Sequence, residues 1–245
     1  MHKQDVARLF TTPVDSPAYA PTRYRFTNRE YLNIYYRTDL EALRRLVPEP
    51  LTVTDPVVRF EVMRMPDTTG LGDYTEAGQL VSVEHEGEKG EFNLAMYVDS
   101  VPAISSGREY SAYPKKFGAP SLYVDSDTLV GTLDYGTLRV ATATMGYKHH
   151  AMDLDEARAE VCSPTFMVKT VPNYDGTPRI CELVRTQITD VTVKSAHTAP
   201  ARLQLFAHVM APLADLPVLE VVGASHIVTD LSLNMVEPVY DYLAA

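Results

Sequence analysis

Two adjacent lysines, Lys115 and Lys116, lie in an otherwise apolar and aromatic stretch, Gly107-Arg108-Glu109-Tyr110-Ser111-Ala112-Tyr113-Pro114-Lys115-Lys116-Phe117-Gly118. A lysine held away from water can lose its proton and attack a carbonyl as an amine nucleophile. The same residues also suit a surface turn carrying a solvated lysine pair, and composition alone leaves both readings open. Other chemistries find less support. The seven histidines, His2, His85, His149, His150, His197, His208 and His226, contain no His-x-x-x-His pair beside an acid. His149 and His150 are neighbours, so on a strand they face opposite ways. Phosphate-binding glycine loops are absent, as is the Gly-x-Ser-x-Gly of a serine-hydrolase elbow. Two cysteines, Cys162 and Cys181, cannot build a disulfide scaffold or a four-thiolate zinc site, which fits a reduced, cytoplasmic setting.

The elements that must position such a lysine read mostly as strands. Residues 58–65 partly alternate apolar with polar. Residues 79–85 and 91–98 flank Glu86-Gly87-Glu88-Lys89-Gly90, the pattern of a hairpin with a longer loop. Residues 128–133 and 137–145 flank Asp134-Tyr135-Gly136, and 165–171 and 179–184 flank Asn173-Tyr174-Asp175-Gly176. Further strands are expected at 186–194 and 202–209. Two short helices have capping residues: Asp39 before 40–47, ended by Pro48, and Asp153 before 154–161, with Pro164 beyond. No Pro/Ser-rich linker divides the chain, so residues 1–245 read as one mainly-β domain, a barrel or closed sandwich with two or three short helices. Such a barrel can enclose a pocket lined by alternate strand residues.

Composition bounds the partners. The 245 residues carry 22 Lys plus Arg against 32 Asp plus Glu, a net charge of −10. That balance disfavours nucleic acid and anionic membrane surfaces. No apolar run is long enough for a membrane span, and the polar first residues lack the apolar core of a signal peptide.

Tyr113-Pro114-Lys115-Lys116, with Gly107-Arg108-Glu109 upstream, resembles the acetoacetate decarboxylase family. So do Phe26-Thr27-Asn28-Arg29-Glu30-Tyr31, Val47-Pro48-Glu49-Pro50-Leu51, Tyr74-Thr75-Glu76, the run from Val124 to Gly136, the run from Val140 to His149, and Pro172-Asn173-Tyr174-Asp175-Gly176. The similarity extends from about Thr12 to Tyr242. It implies a mainly-β fold, a closed cone-like antiparallel β-barrel with a buried pocket and a few short peripheral helices. It also implies a cytoplasmic enzyme that needs no metal or organic cofactor, acts on a small β-keto acid and assembles as a homo-dodecamer. The family is itself a familiar instance of an activated lysine, so the mechanism is inherited rather than new.

That mechanism has a chemical logic. Losing carbon dioxide from a β-keto acid leaves an electron pair on the α-carbon, and a protonated imine is a better sink for it than a ketone. The resemblance makes Lys115 the imine-forming amine. A free lysine, with a pKa of about 10.4, is almost all ammonium at neutral pH, so a useful amine fraction needs a drop of roughly 3 pH units, about 4 kcal/mol. If Lys115 and Lys116 alternate on a strand, their ammonium groups diverge to about 10 Å, and repulsion supplies only about one unit at an effective dielectric near 20. Desolvation, able to move a lysine by up to about 3–5 units, should dominate.

The resemblance also implies that Arg29, Glu61 and Glu76 are polar groups of the pocket and that Phe26 and Met96 form its apolar wall. Lys116 is counted with them as a pocket neighbour. Arg29 can hold a substrate carboxylate by a two-pronged contact or serve a structural salt bridge. Glu76 can shuttle a proton, and Glu61 can balance Arg29. Two other readings remain: a related lysine-dependent aldolase or dehydratase of the same superfamily, and a non-catalytic barrel that binds small ligands.

Overall fold

The structure, a computed structural model, describes residues 1–244. After a four-residue helix α1 (Lys3–Val6), strand β1 (Arg25–Arg37) leads to α2 (Leu40–Arg44), followed by β2 (Thr52–Thr68), β3 (Gly72–His85) and β4 (Glu88–Val98). Helix α3 (Val101–Ser105) and a π-helical turn (Ser106–Tyr110) precede β5 (Lys115–Phe117), β6 (Ala119–Asp125), β7 (Thr128–Tyr135) and β8 (Leu138–Gly146). Then come β9 (His150–Ala151), α4 (Leu154–Val161), β10 (Thr165–Pro172), β11 (Pro178–Thr186), β12 (Ile188–Thr198), β13 (Ala201–Leu205), β14 (Glu220–Leu233) and β15 (Glu237–Asp241).

The chain is mainly β, with short helices, as the sequence implies. The closed antiparallel barrel is not what the strands form. Eleven strands make one sheet in the order β15-β11-β10-β4-β3-β2-β1-β14-β12-β9, with β5 added on β4, and the path is open at β15 and β9. A second, four-stranded sheet runs β13-β8-β7-β6. Nor is the large sheet wholly antiparallel. The outer edge of β4 pairs in parallel with β10 at Glu91 and Phe92, and with β5 from Met96 to Val98. Edge strands that end in short pairs, such as the two-residue β9, cannot complete a closing ladder.

Strand alternation sorts the large sheet into two faces. Leu32, Ile34, Tyr36, Val58, Phe60, Val62 and Ala77 pack with Leu129, Leu133, Val140 and Ala143 of the four-stranded sheet. The approach is close enough that a Cβ on Gly131 would lie 2.9 Å from Val62 Cγ2, which is why a glycine stands there. The opposite face carries Tyr31, Met63, Tyr74, Met96 and Ile227, packed with Ala103 of α3 and with Ala157 and Val161 of α4. This second face holds the chemistry.

Both expected caps are made. The Asp39 carboxylate accepts from Ala42 N at 2.6 Å, and Asp153 accepts from Asp155 N and Glu156 N at 2.8 and 3.1 Å. Helix α2 stops at Arg44 rather than continuing to Val47. The 79–85/91–98 hairpin has a tight two-residue turn rather than a long loop: Glu86 and Gly87 take φ of 49° and 88°, the left-handed pair that matches strand twist. The expected strand at 202–209 is β13, ending at Leu205. Strands β1 and β14, which pair with each other over most of their length, went unread in the sequence.

Candidate active site

Lys115 opens β5, and its parallel partner on β4 is Met96, which in turn faces Gly78 of β3. Two residues before Gly78, on the same face, stands Glu76. The register therefore brings together two residues 39 positions apart in sequence, and Lys115 Nζ donates a hydrogen bond to Glu76 Oε1. Both side chains are buried, Lys115 at 7% exposed and Glu76 at 3%. Lys115 Nζ also lies 5.6 Å from the Tyr74 ring and 5.4 Å from the Tyr113 ring.

The π-helical turn forms the other side of the lysine. A Cβ on Gly107 would lie 2.7 Å from Lys115 Cδ and 2.9 Å from Cε, so only glycine lets the turn close on the lysine stem. The turn is fastened from outside. Lys169 on β10 donates to the carbonyls of Arg108, Glu109 and Ser111, and Arg108 Nη1 donates to the Lys115 carbonyl at 3.3 Å.

Lys115, Glu76, Tyr74, Tyr113 and Gly107 line a cavity of about 440 Å³, counting the part open to solvent. Of the residues expected there, Lys115, Glu76, Arg29, Phe26 and Met96 line it. Glu61 does not. It lies in a neighbouring cavity that shares Arg29, Met96 and Tyr113 with the first. Lys116 lies outside both: its Nζ donates to the Met210 carbonyl at 2.5 Å and sits 5.1 Å from the Tyr135 ring. Tyr74, Tyr113, Ser106 and Gly107 also belong to the wall and were not singled out as site residues in the sequence. Tyr74 and Tyr113 had only their flanking positions, beside Glu76 and Lys115, as a signal.

Electrostatics follow from burial and register. Arg29 Nη2 contacts Met63 Sδ at 2.7 Å, and its guanidinium carbon lies 5.1 Å from the Phe26 ring and 4.8 Å from the Tyr31 ring. Burial opposes its charge, but the fields of Tyr31, Glu76 and Glu61 outweigh that, so Arg29 stays firmly protonated. Burial pushes the Glu61 carboxyl up, against the pull of Arg59 and Arg29. Burial, reinforced by Glu76, raises the Tyr74 and Tyr113 phenols and keeps them neutral donors. Among the described residues, no group of three or more His, Cys, Asp and Glu side chains converges on a metal position. No helix among them is long and apolar enough to cross a membrane.

A buried amine with a carboxylate at its tip, a guanidinium in the same cavity and apolar walls can form an imine with a small keto acid. Known proteins of similar sequence point the same way. A sequence model of the acetoacetate decarboxylase family matches residues 9–243. The acetoacetate decarboxylase of Streptomyces nogalater is 66% identical over 244 residues, covering 100% of both chains. That of Clostridium acetobutylicum is 60% identical over 243 residues, covering 99% of this chain and 100% of its own. A solved acetoacetate decarboxylase structure, 60% identical, superposes with a TM-score of 0.98 over 100% of both chains. With the match running nearly end to end and these relatives alike over their whole length, the chain belongs to the acetoacetate decarboxylase family.

Proposed function

We propose that the protein converts acetoacetate and a proton to acetone and carbon dioxide through an imine on Lys115. The observation that carries this reading is the buried Lys115 amine hydrogen-bonded to Glu76 inside a largely apolar cavity. Glu76 takes the proton that the ammonium must shed before attack. The amine adds to the ketone carbon, water leaves, and a protonated imine forms. The bond between the α-carbon and the carboxylate breaks, its electron pair enters the imine, and carbon dioxide departs. The resulting enamine takes a proton at carbon. Water then hydrolyses the imine, releasing acetone and the free amine.

Arg29, cationic throughout, orients the incoming carboxylate, and Glu61 balances Arg29 from the adjoining cavity. Phe26 and Met96 keep water from the amine. Lys116 acts at a distance from the reacting atoms, anchoring β5 through the Met210 carbonyl. The family resemblance extends the proposal to a cytoplasmic homo-dodecamer. Exposed apolar side chains such as Val209, Leu219 and Tyr174 support self-association, and light scattering that gives a stable 27.2 kDa particle would overturn it.

Borohydride reduction during incubation with acetoacetate tests the central step. A substrate-dependent mass increase on the peptide carrying Lys115 is the expected result, and an unlabelled peptide sinks the reading.

A further inference from the structure

The reaction consumes one proton per turnover, and the cavity that holds Lys115 is mostly apolar. Behind its wall lies the second cavity, of about 490 Å³ counting the part open to solvent. Arg29, Met96 and Tyr113 separate the two and line both. The second cavity exists because the edge of β4 forks. Strand β10 pairs with Glu91 and Phe92, β5 pairs from Met96 onward, and residues 93–95 have no partner strand on that side among the described residues. A bulge in the β3–β4 ladder, between the Gln79 and Leu80 pairs, turns Asn93 to the same face as Met96.

Four polar atoms on side chains lining this cavity have no hydrogen-bond partner among the described residues: Asn93 Oδ1, Tyr31 Oη, Arg59 Nε and Arg29 Nε. All four residues are at least nine-tenths buried, with Asn93 and Tyr31 3% exposed. Buried polar atoms of this kind take ordered water when the space is polar and roomy. The cavity also continues outward. Arg59 Nη2 lies 3.4 Å from Glu61 Oε2 and 2.8 Å from Glu91 Oε2. Glu91 and Ser163 line an open surface cleft with Lys89 and Glu160, and Ser163 lines the second cavity as well.

We propose that this second cavity is a water-bearing proton passage, in which Glu91 picks up a proton from the surface cleft and hands it through water and Glu61 to Glu76 beside the imine. The proposal rests on the decarboxylase reading above. The proton ends in the new carbon–hydrogen bond of acetone, and bulk water reprotonates Glu91, so nothing else is consumed. Arg59 serves as a positioning residue that holds both carboxylates. Charged groups facing Glu91 are Arg59 and Glu61 from β2 and Glu160 from α4. Burial raises the Glu91 carboxyl to about 7, against the pull of Arg59 and with help from Glu61 and Glu160, which suits a group that loads and unloads protons near neutrality.

Two variants test the passage. Glu91→Gln keeps the shape and removes the titration, while Asn93→Leu leaves every charge in place and removes the orphan carbonyl. Each is assayed for acetoacetate turnover across pH, for deuterium uptake into acetone in heavy water, and for borohydride trapping at Lys115. The expected result is a kcat about ten-fold lower with KM little changed, below the roughly 10²–10⁴-fold that a directly contacting general acid supplies. Deuterium uptake slows in parallel, the neutral-pH limb of the Glu91→Gln profile moves, and trapping stays at the wild-type level. If Glu91→Gln fails to fold, Asn93→Leu decides alone. Wild-type turnover, profile and deuterium uptake overturn the proposal, and so does trapping that falls in step with kcat, which marks a merely structural support of Lys115. Absence of trapping in the wild-type protein indicts the decarboxylase reading instead.

Discussion

Lys115 and Lys116 are neighbours in the chain and opposites in space. The first ends against Glu76 inside the cavity, while the second reaches the Met210 carbonyl, 2.5 Å away, on the other side of β5. Strand geometry separates them, because consecutive side chains leave a strand on opposite faces. The charge of Lys116 is therefore directed away from the cavity, in which Lys115 meets Glu76 and the Tyr74 and Tyr113 rings.

That argument yields the first prediction. In Lys116→Ala, acetoacetate turnover falls by no more than about ten-fold, because the removed side chain lies outside the cavity. In Met96→Asn, which puts a polar group into the cavity wall beside the amine, turnover falls by more than that. A larger loss in Lys116→Ala than in Met96→Asn overturns this placement of the two side chains.

Lys115→Arg keeps the positive charge and loses the usable amine, since a guanidinium stays protonated. Turnover of acetoacetate should disappear, together with borohydride labelling, while the circular dichroism spectrum is retained. Appreciable steady-state activity in this variant would remove Lys115 from the mechanism.

Gly107→Ala should be far more damaging than its size suggests. The added methyl meets the Lys115 stem at 2.7 and 2.9 Å, so either the turn or the lysine must shift. A misplacement near 1 Å costs about 10²-fold in a reaction that depends on positioning. Steady-state kinetics should show the loss mainly in kcat, and wild-type rates would mean the turn yields freely.

Glu91 gives a pH signature in stability. Its carboxyl stands at about 7 in the folded protein against an ordinary 4.5, so between those values the folded state holds the proton more tightly. Folding stability from this group is then greatest below 4.5 and declines as pH rises through 7, by on the order of 3 kcal/mol. Glu91→Gln should flatten that part of the curve in denaturant titrations at pH 4.5 to 7.5, and an unchanged slope would contradict the buried placement of its charge.

Much of the chemistry was legible in the residues. The motif around Lys115 singled out a lysine that the fold buries in the cavity, and alternation alone implied that Lys116 points elsewhere. Asp39 and Asp153 marked two helix starts because a short acidic side chain before a helical run satisfies free amide groups. These features are local, and local patterns survive without a fold.

What the chain could not disclose is non-local. Strand β1 was invisible because Asn28-Arg29-Glu30 breaks any alternation. There Asn28 takes a φ of 56° and the pairing with β14 shifts between Phe26 and Arg29. Closure of a barrel depends on whether distant edges find each other, and here β9 and β15 remain edges. The Arg59–Glu61–Glu91 cluster joins β2 to β4 across β3, and one bulge decides that Asn93 shares a face with Met96. Pair spacing within a strand is written in the sequence. Which strands lie side by side, and in what register, is settled only when the whole sheet buries its apolar faces, and that register brought Glu76 to Lys115.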